Sequence, residues 1–167
     1  MVNLKKEIII RFLLISCILA LCTAVIIQYV FGYQPCNLCL IERVPYILAI
    51  IILLLNYKFH KHKVFWNILL LLIFSFSFLI SVYHLGIEQD LFKESSLCSS
   101  KNVGLITKED VLKSLENLNI SCKDVAFKIF GLSLTTYNIF LSIIMLLLST
   151  KIYFINNDIK KESRRIY

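Results

Sequence analysis

Glycine, proline and charged residues are all scarce in this chain: four Gly, two Pro and 17% charged residues in 167. Few Gly and Pro leave little room for long loops, low-complexity tracts or an interdomain linker, and no internal repeat is visible. A soluble domain averages about 25% charged residues, so the charge deficit argues against a water-facing surface. What replaces charge is apolar: 58% of residues are hydrophobic, with a mean hydropathy of +0.76. The length suits one domain, taken as 1–167.

Four stretches come close to the roughly 20 apolar residues that a helix needs to cross a bilayer. They cover about 10–31, 37–55, 64–84 and 129–151, with a long intervening loop at about 85–128. An open strand in lipid leaves backbone groups unpaired, so helices are expected. The expectation is an all-α, four-helix membrane bundle. The first stretch is read as a span and not as a cleaved signal peptide. Its apolar run outlasts a signal peptide's and continues to the Tyr33–Pro35 turn. A lipoprotein-type cleavage box at Leu19-Ala20-Leu21-Cys22 is spoiled by a bulky Leu before the Cys.

The charges sort by side. Eleven of the eighteen basic residues flank the termini and the short loop after the second span, among them Lys5, Lys6, Arg11, Lys58, Lys61 and Lys63. Acidic residues such as Glu88, Asp90, Glu94, Glu109 and Asp110 gather in the long loop. The positive-inside rule then puts both termini in the cytoplasm and the long loop outside. The +7 net charge reads as a topology signal and not as a nucleic-acid footprint. Cys36, Cys39, Cys98 and Cys122 fall on the outer, oxidising side, where disulfides persist. Cys17 and Cys22 sit within the first span and read as small apolar packing residues.

The chemistry concentrates in Gln34-Pro35-Cys36-Asn37-Leu38-Cys39-Leu40-Ile41-Glu42-Arg43-Val44-Pro45. Peptide dipoles at a helix start stabilise a thiolate, the nucleophile of thiol exchange. Spacing of i, i+3, i+7 puts Cys36, Cys39 and Arg43 on one helix face, with the guanidinium one turn below Cys39. An Arg so close to lipid is costly without a partner. Pro45 has no N–H for the carbonyl of Ile41, and a kink there would open room for a flat ligand. Three plainer readings compete. Cys36 and Cys39 with Cys98 and Cys122 would make a four-thiolate zinc site, although the second pair is widely spaced. Two disulfides would merely brace the outer loops. Glu42 and Arg43 would be interfacial anchors.

The Cys36-x-x-Cys39-x-x-Glu42-Arg43 pattern, the four spans and the later Cys98 and Cys122 resemble the DsbB family of bacterial disulfide-bond formation proteins. Tyr83-His84-Leu85-Gly86-Ile87-Glu88 and Phe130-Gly131-Leu132-Ser133 also match, the former in the manner of the alphaproteobacterial branch. The resemblance spans nearly the whole chain. It implies a monomeric protein-dithiol:quinone oxidoreductase of the bacterial inner membrane, without metal. In that relay a soluble periplasmic thioredoxin-fold oxidase (DsbA-like) forms a mixed disulfide with Cys98. Reducing equivalents then pass through Cys122 to the Cys36–Cys39 pair. Cys39 meets ubiquinone or menaquinone, with Arg43, His84 and Glu42 as the cofactor-binding residues. His84 has a plainer reading as an interfacial histidine. Thr107-Lys108-Glu109-Asp110 reads as a capping box. Val111, Leu112, Leu115 and Leu118 after it form an apolar stripe, read as a short amphipathic helix on the outer leaflet. Ile41 departs from the aromatic residue common in the family, and the serines around Cys98 carry no partner signature. Two other functions remain open on the residues alone: a membrane adaptor braced by disulfides, and a vitamin K epoxide reductase-like enzyme, whose Cys-x-x-Cys comes late in the bundle where here it comes early.

Overall fold

The computed structural model describes residues 2–58, 63–93, 98, 122–123, 127–129 and 131–166. The capping box, the apolar stripe and the serines around Cys98 lie outside them. The described elements are α1 (Val2–Tyr29), α2 (Asn37–Ile41), α3 (Arg43–Lys58), α4 (Lys63–Glu88), β1 (Lys128–Ile129), β2 (Leu132–Ser133) and α5 (Leu134–Ile166). Among the described residues, four helical stretches are long and apolar enough to cross a membrane: Lys6–Tyr29, Asn37–Lys58, Lys63–Glu88 and Leu134–Asn157. The packing closes a ring, α1 on α3, α3 on α4, α4 on α5 and α5 on α1, with α4 on α5 the most extensive contact.

The distribution of side chains is that of a bundle solvated by lipid. Large apolar residues point outward along every long helix, among them Leu19, Leu54, Leu72, Leu79, Phe140 and Leu147. Small polar residues are buried instead: Ser77, Ser81, Ser142 and Ser149 are all at or near zero exposure. With lipid outside, apolar burial supplies no drive between helices, and close packing plus interhelical hydrogen bonds take over. Leu13, Cys17, Ala49, Leu53, Phe74 and Met145 form the apolar core. Cys17 is thus a packing residue, while Cys22 is exposed on the bundle's flank.

The span boundaries differ from the sequence expectation by a few residues, and two of the differences bear on the site. The third span runs on to Glu88, so both His84 and Glu88 are helical. There the N–H groups of Leu91 and Phe92 bond the carbonyl of Gly86 and close the helix. The fourth span begins at Leu134 and not near residue 129. Lys128 and Ile129 pair antiparallel with Ser133 and Leu132, and Gly131 takes φ +82° in the turn, a conformation cheap only for glycine. Ser133 Oγ then accepts from the N–H of Thr136 at 3.3 Å and caps α5.

Candidate functional site

Cys36 is the N-cap of α2. Its backbone is extended (φ −69°, ψ 167°) and its sulfur accepts from the N–H of Cys39 at 3.2 Å. The helix then breaks at Glu42 and resumes as α3 at Arg43. Pro45 in the first turn of α3 explains the break, because the carbonyl of Ile41 has no α-helical donor four residues on. Glu42 keeps helical backbone angles at this point, is 8% exposed and points at His84 of α4.

The imidazole of His84, 2% exposed, lies between these groups. Its Nε2 is 3.6 Å from Cys36 Sγ, and its Nδ1 is 3.1 Å from Glu42 Oε1. Thr135 Oγ1 stands 3.3 Å from the same Nδ1 and donates to Glu88 Oε1 at 2.5 Å. Asn138 Nδ2 donates to Glu42 Oε2 at 3.1 Å and to Ser81 Oγ at 2.8 Å. Tyr46 donates its hydroxyl to Asn138 Oδ1 and lies 3.5 Å from Ser142 Oγ, which is 3.1 Å from Ser77 Oγ. A continuous polar ladder thus runs from Cys36 into the bundle, with each buried carboxylate oxygen of Glu42 partnered. A buried carboxylate without partners would be prohibitive.

The Cys36 thiol is pulled down to about 5. The hydrogen bond from the Cys39 side chain is the largest cause, and the imidazole of His84 adds a hydrogen bond and a charge, against burial, which opposes ionisation. Cys36 is therefore a thiolate at neutral pH, the reactive form.

Cys98 and Cys122 form a disulfide with Cα atoms 5.4 Å apart, while Cys36 and Cys39 are thiols. All four sulfurs belong to one buried cluster with Leu38, Ile87, Ile41 and Tyr83. The pairing of Cys98 with Cys122 removes the four-thiolate zinc arrangement in this state. Beside the cluster is a cavity of about 450 Å³. Its polar wall includes Cys36, Cys39, Arg43 and His84, and its apolar wall comes from α1 and α5, Leu19, Ala20 and Leu141 among them. Arg43 Nη1 donates to Gln28 Oε1 at 2.6 Å, so α1 supplies the partner that the guanidinium requires. Phe127, five residues after Cys122, packs tilted against Tyr33 (centroids 5.0 Å apart), and both rings line the cavity.

Every sequence candidate within the described residues is thus brought to one end of the bundle. Cys36, Cys39, Cys122, Arg43, His84 and Glu42 line the cavity, and Cys98 is held through its disulfide. Sequence reasoning passed over Thr135, Asn138, Glu88 and Gln28. A signal existed: Thr135 and Asn138 are polar residues one turn apart in a largely apolar span, and such residues tend to face the bundle interior.

Residues 6–152 match the family model described as disulfide bond formation protein DsbB. An uncharacterized protein of Rickettsia prowazekii (strain Madrid E) is 35% identical over 133 residues, covering 78% of this chain and 77% of that relative. No solved structure matches the chain. A family match over nearly the whole length, four membrane-length helices and a buried cluster of two cysteine pairs lead to one conclusion: the chain belongs to the DsbB family, the thiol oxidoreductases of disulfide-bond formation.

Proposed function

We propose that this protein is a protein-dithiol:quinone oxidoreductase that reoxidises a soluble periplasmic thioredoxin-fold oxidase. The observation that carries the reading is the gathering of both cysteine pairs, Arg43 and the Cys36–His84–Glu42 triad around one cavity at one end of the bundle. With the basic short-loop side in the cytoplasm, that end faces the periplasm.

Each transfer is a thiolate attack on a disulfide. A thiolate of the reduced partner attacks Cys98, forming a mixed disulfide and releasing Cys122 as thiolate. A second partner thiolate resolves the mixed disulfide. Cys122, in the same cluster as Cys36, attacks Cys36 Sγ of the oxidised inner pair, and Cys39 leaves as thiolate. Recapture of Cys122 by Cys98 then leaves both electrons on Cys36 and Cys39.

The cavity fits a quinone headgroup in size and chemistry. Its volume lies within the usual range of about 300–1,000 Å³ for ligand sites, and it pairs an apolar wall with the guanidinium of Arg43. Arg43 gives one donor to Gln28, leaving others of its five for carbonyl acceptors. A bound ubiquinone or menaquinone supplies a sink for two electrons and two protons. Arg43 and Cys39 would hold it, and His84 holds or gives up the proton of Cys36 at Nε2 while Glu42, accepting at Nδ1, keeps the ring oriented. Glu42 and His84 thus act on the sulfur as well as lining the cavity that would hold the cofactor. An adaptor braced by two disulfides fits less well, because it leaves the histidine beside Cys36 and the adjoining cavity without a role.

The test is quinone-coupled reoxidation of a reduced thioredoxin-fold oxidase by purified protein, with each of the four cysteines changed in turn. Cys39→Ser is expected to abolish turnover, and full turnover in that variant would overturn the relay. Cys98→Ala is expected to trap no partner.

A further inference from the structure

The donor atoms of Cys36, Cys39 and His84 lie within 4.8 Å of one another, with Cys36 and His84 buried and Cys39 half-buried. The geometry points to a second use of this site: in its dithiol form, Cys36 Sγ, Cys39 Sγ and His84 Nε2 bind one Zn²⁺, which locks the inner pair in the reduced state. Zinc takes thiolate sulfur at about 2.3 Å and imidazole nitrogen at about 2.0–2.1 Å. Tetrahedral angles then require sulfur and nitrogen about 3.6 Å apart, and Cys36 Sγ and His84 Nε2 stand at 3.6 Å. Little rearrangement of that edge is needed.

A second observation supports a metal at Nε2. A zinc-bound imidazole almost always presents its other nitrogen to a carboxylate or carbonyl, which fixes the ring and raises its basicity. His84 Nδ1 meets Glu42 Oε1 at 3.1 Å, and Asn138 holds the second carboxylate oxygen at 3.1 Å. The three donors line the cavity, and Glu88 Oε1 is 3.9 Å from Nε2, so the cavity and Glu88 lie beside the remaining position. Two Cys and one His with an open fourth position is an established zinc pattern. It differs from the four-thiolate site of the sequence analysis, because Cys98 and Cys122 take no part.

Binding displaces the protons that Cys36, Cys39 and His84 Nε2 hold among them and moves no electrons, since zinc has no redox chemistry in proteins. A Cys36–Cys39 disulfide has no thiolate to offer, so the metal discriminates between redox states. By linkage, whatever binds only the dithiol opposes its oxidation. The consequence is a brake on thiol oxidation by divalent zinc. It needs a reducible inner pair and is independent of the quinone and partner assignments.

The test uses the full chain in detergent with Cys98→Ala and Cys122→Ala, so that the loop pair cannot contribute. Reduced protein is titrated with Co²⁺, followed by its thiolate charge-transfer and tetrahedral visible bands, and Zn²⁺ is added in competition. One equivalent is expected to bind, with affinity lowered at least a hundredfold in the oxidised protein and in the His84→Ala variant. Affinity within tenfold of the reduced parent in either case overturns the site. Glu42→Gln is expected to weaken binding by about 10- to 100-fold, and unchanged affinity refutes the support assigned to Glu42. A measurement on unmutated protein guards against misfolded variants. One equivalent of Zn²⁺ should protect Cys36 and Cys39 together from alkylation, and equal alkylation with and without zinc overturns the proposal. No quinone or partner is present, so failure here leaves the relay reading untouched, and failure of the relay leaves this one.

Discussion

Removing the imidazole of His84 should move the Cys36 thiolate in a way that separates a reactive site from a merely buried sulfur. In the intact site the thiol is half-ionised near pH 5. His84→Ala deletes the partner 3.6 Å from the sulfur and leaves the Cys39 N–H contact at 3.2 Å in place. A hydrogen bond to a charged group is worth about 1.5–3 kcal/mol, and about 1.4 kcal/mol corresponds to one pKa unit. The midpoint should therefore rise to about 6–7. The sign follows from the thiol being an acid whose charged form loses its stabiliser. At pH 5 the thiolate fraction falls from about one half to between roughly a tenth and a hundredth. Nucleophilicity rises with pKa, with a Brønsted slope of about 0.4–0.5, which partly compensates. Alkylation of Cys36 should thus be about two- to fivefold slower in the variant at pH 5, yet about three- to tenfold faster at pH 8. The assay is iodoacetamide labelling of the reduced protein across pH, with the Cys36 peptide quantified by mass spectrometry. His84→Gln, a neutral donor, should fall between. Coincident profiles for His84→Ala and the parent would refute the triad as the origin of Cys36 reactivity.

Asn138→Ala leaves Glu42 Oε2, Ser81 and Tyr46 each short of a partner. It should cost about 1–3 kcal/mol, read as a lower detergent melting temperature, and an unchanged melting temperature would show the ladder to be idle. Arg43→Leu should raise the KM for quinone by about tenfold or more, the scale of a lost charged contact, while leaving partner mixed-disulfide formation at Cys98 intact. Gly86→Ala places a Cβ 2.1 Å from the Phe92 ring, which stacks on Tyr83 with centroids 5.8 Å apart. Overpacking of this kind costs about 1–3 kcal/mol. Adding Phe92→Ala should recover part of that loss, and a strictly additive double variant would argue against the clash.

The spans were legible in the sequence because membrane helices are a local matter: length and apolarity decide them, and lipid forbids unpaired backbone. The Cys-x-x-Cys at a helix start was equally local, since the N-cap geometry of Cys36 involves only residues up to Cys39. Arg43 could be flagged on cost alone, but its partner Gln28 sits on another helix. The expected single face for Cys36, Cys39 and Arg43 is reached by another route, because the helix breaks at Glu42 and the three meet at the cavity. The end of the third span and the start of the fourth differ from the hydropathy reading because closing and capping contacts at Gly86, Gly131 and Ser133 set them, and hydropathy does not register those contacts.

The assignment of partners was decided only by tertiary structure. Glu42 and His84 are 42 residues apart, and His84 and Thr135 are 51 apart. Nothing in their own helices states which faces will meet. In an apolar span the outward residues are as hydrophobic as the inward ones, so periodicity, the usual guide to a buried face, carries little information. The sequence by itself determined that two thiol pairs and a membrane bundle occur together. Packing α3, α4 and α5 around a broken helix determined that a thiolate, an imidazole and a carboxylate share one line.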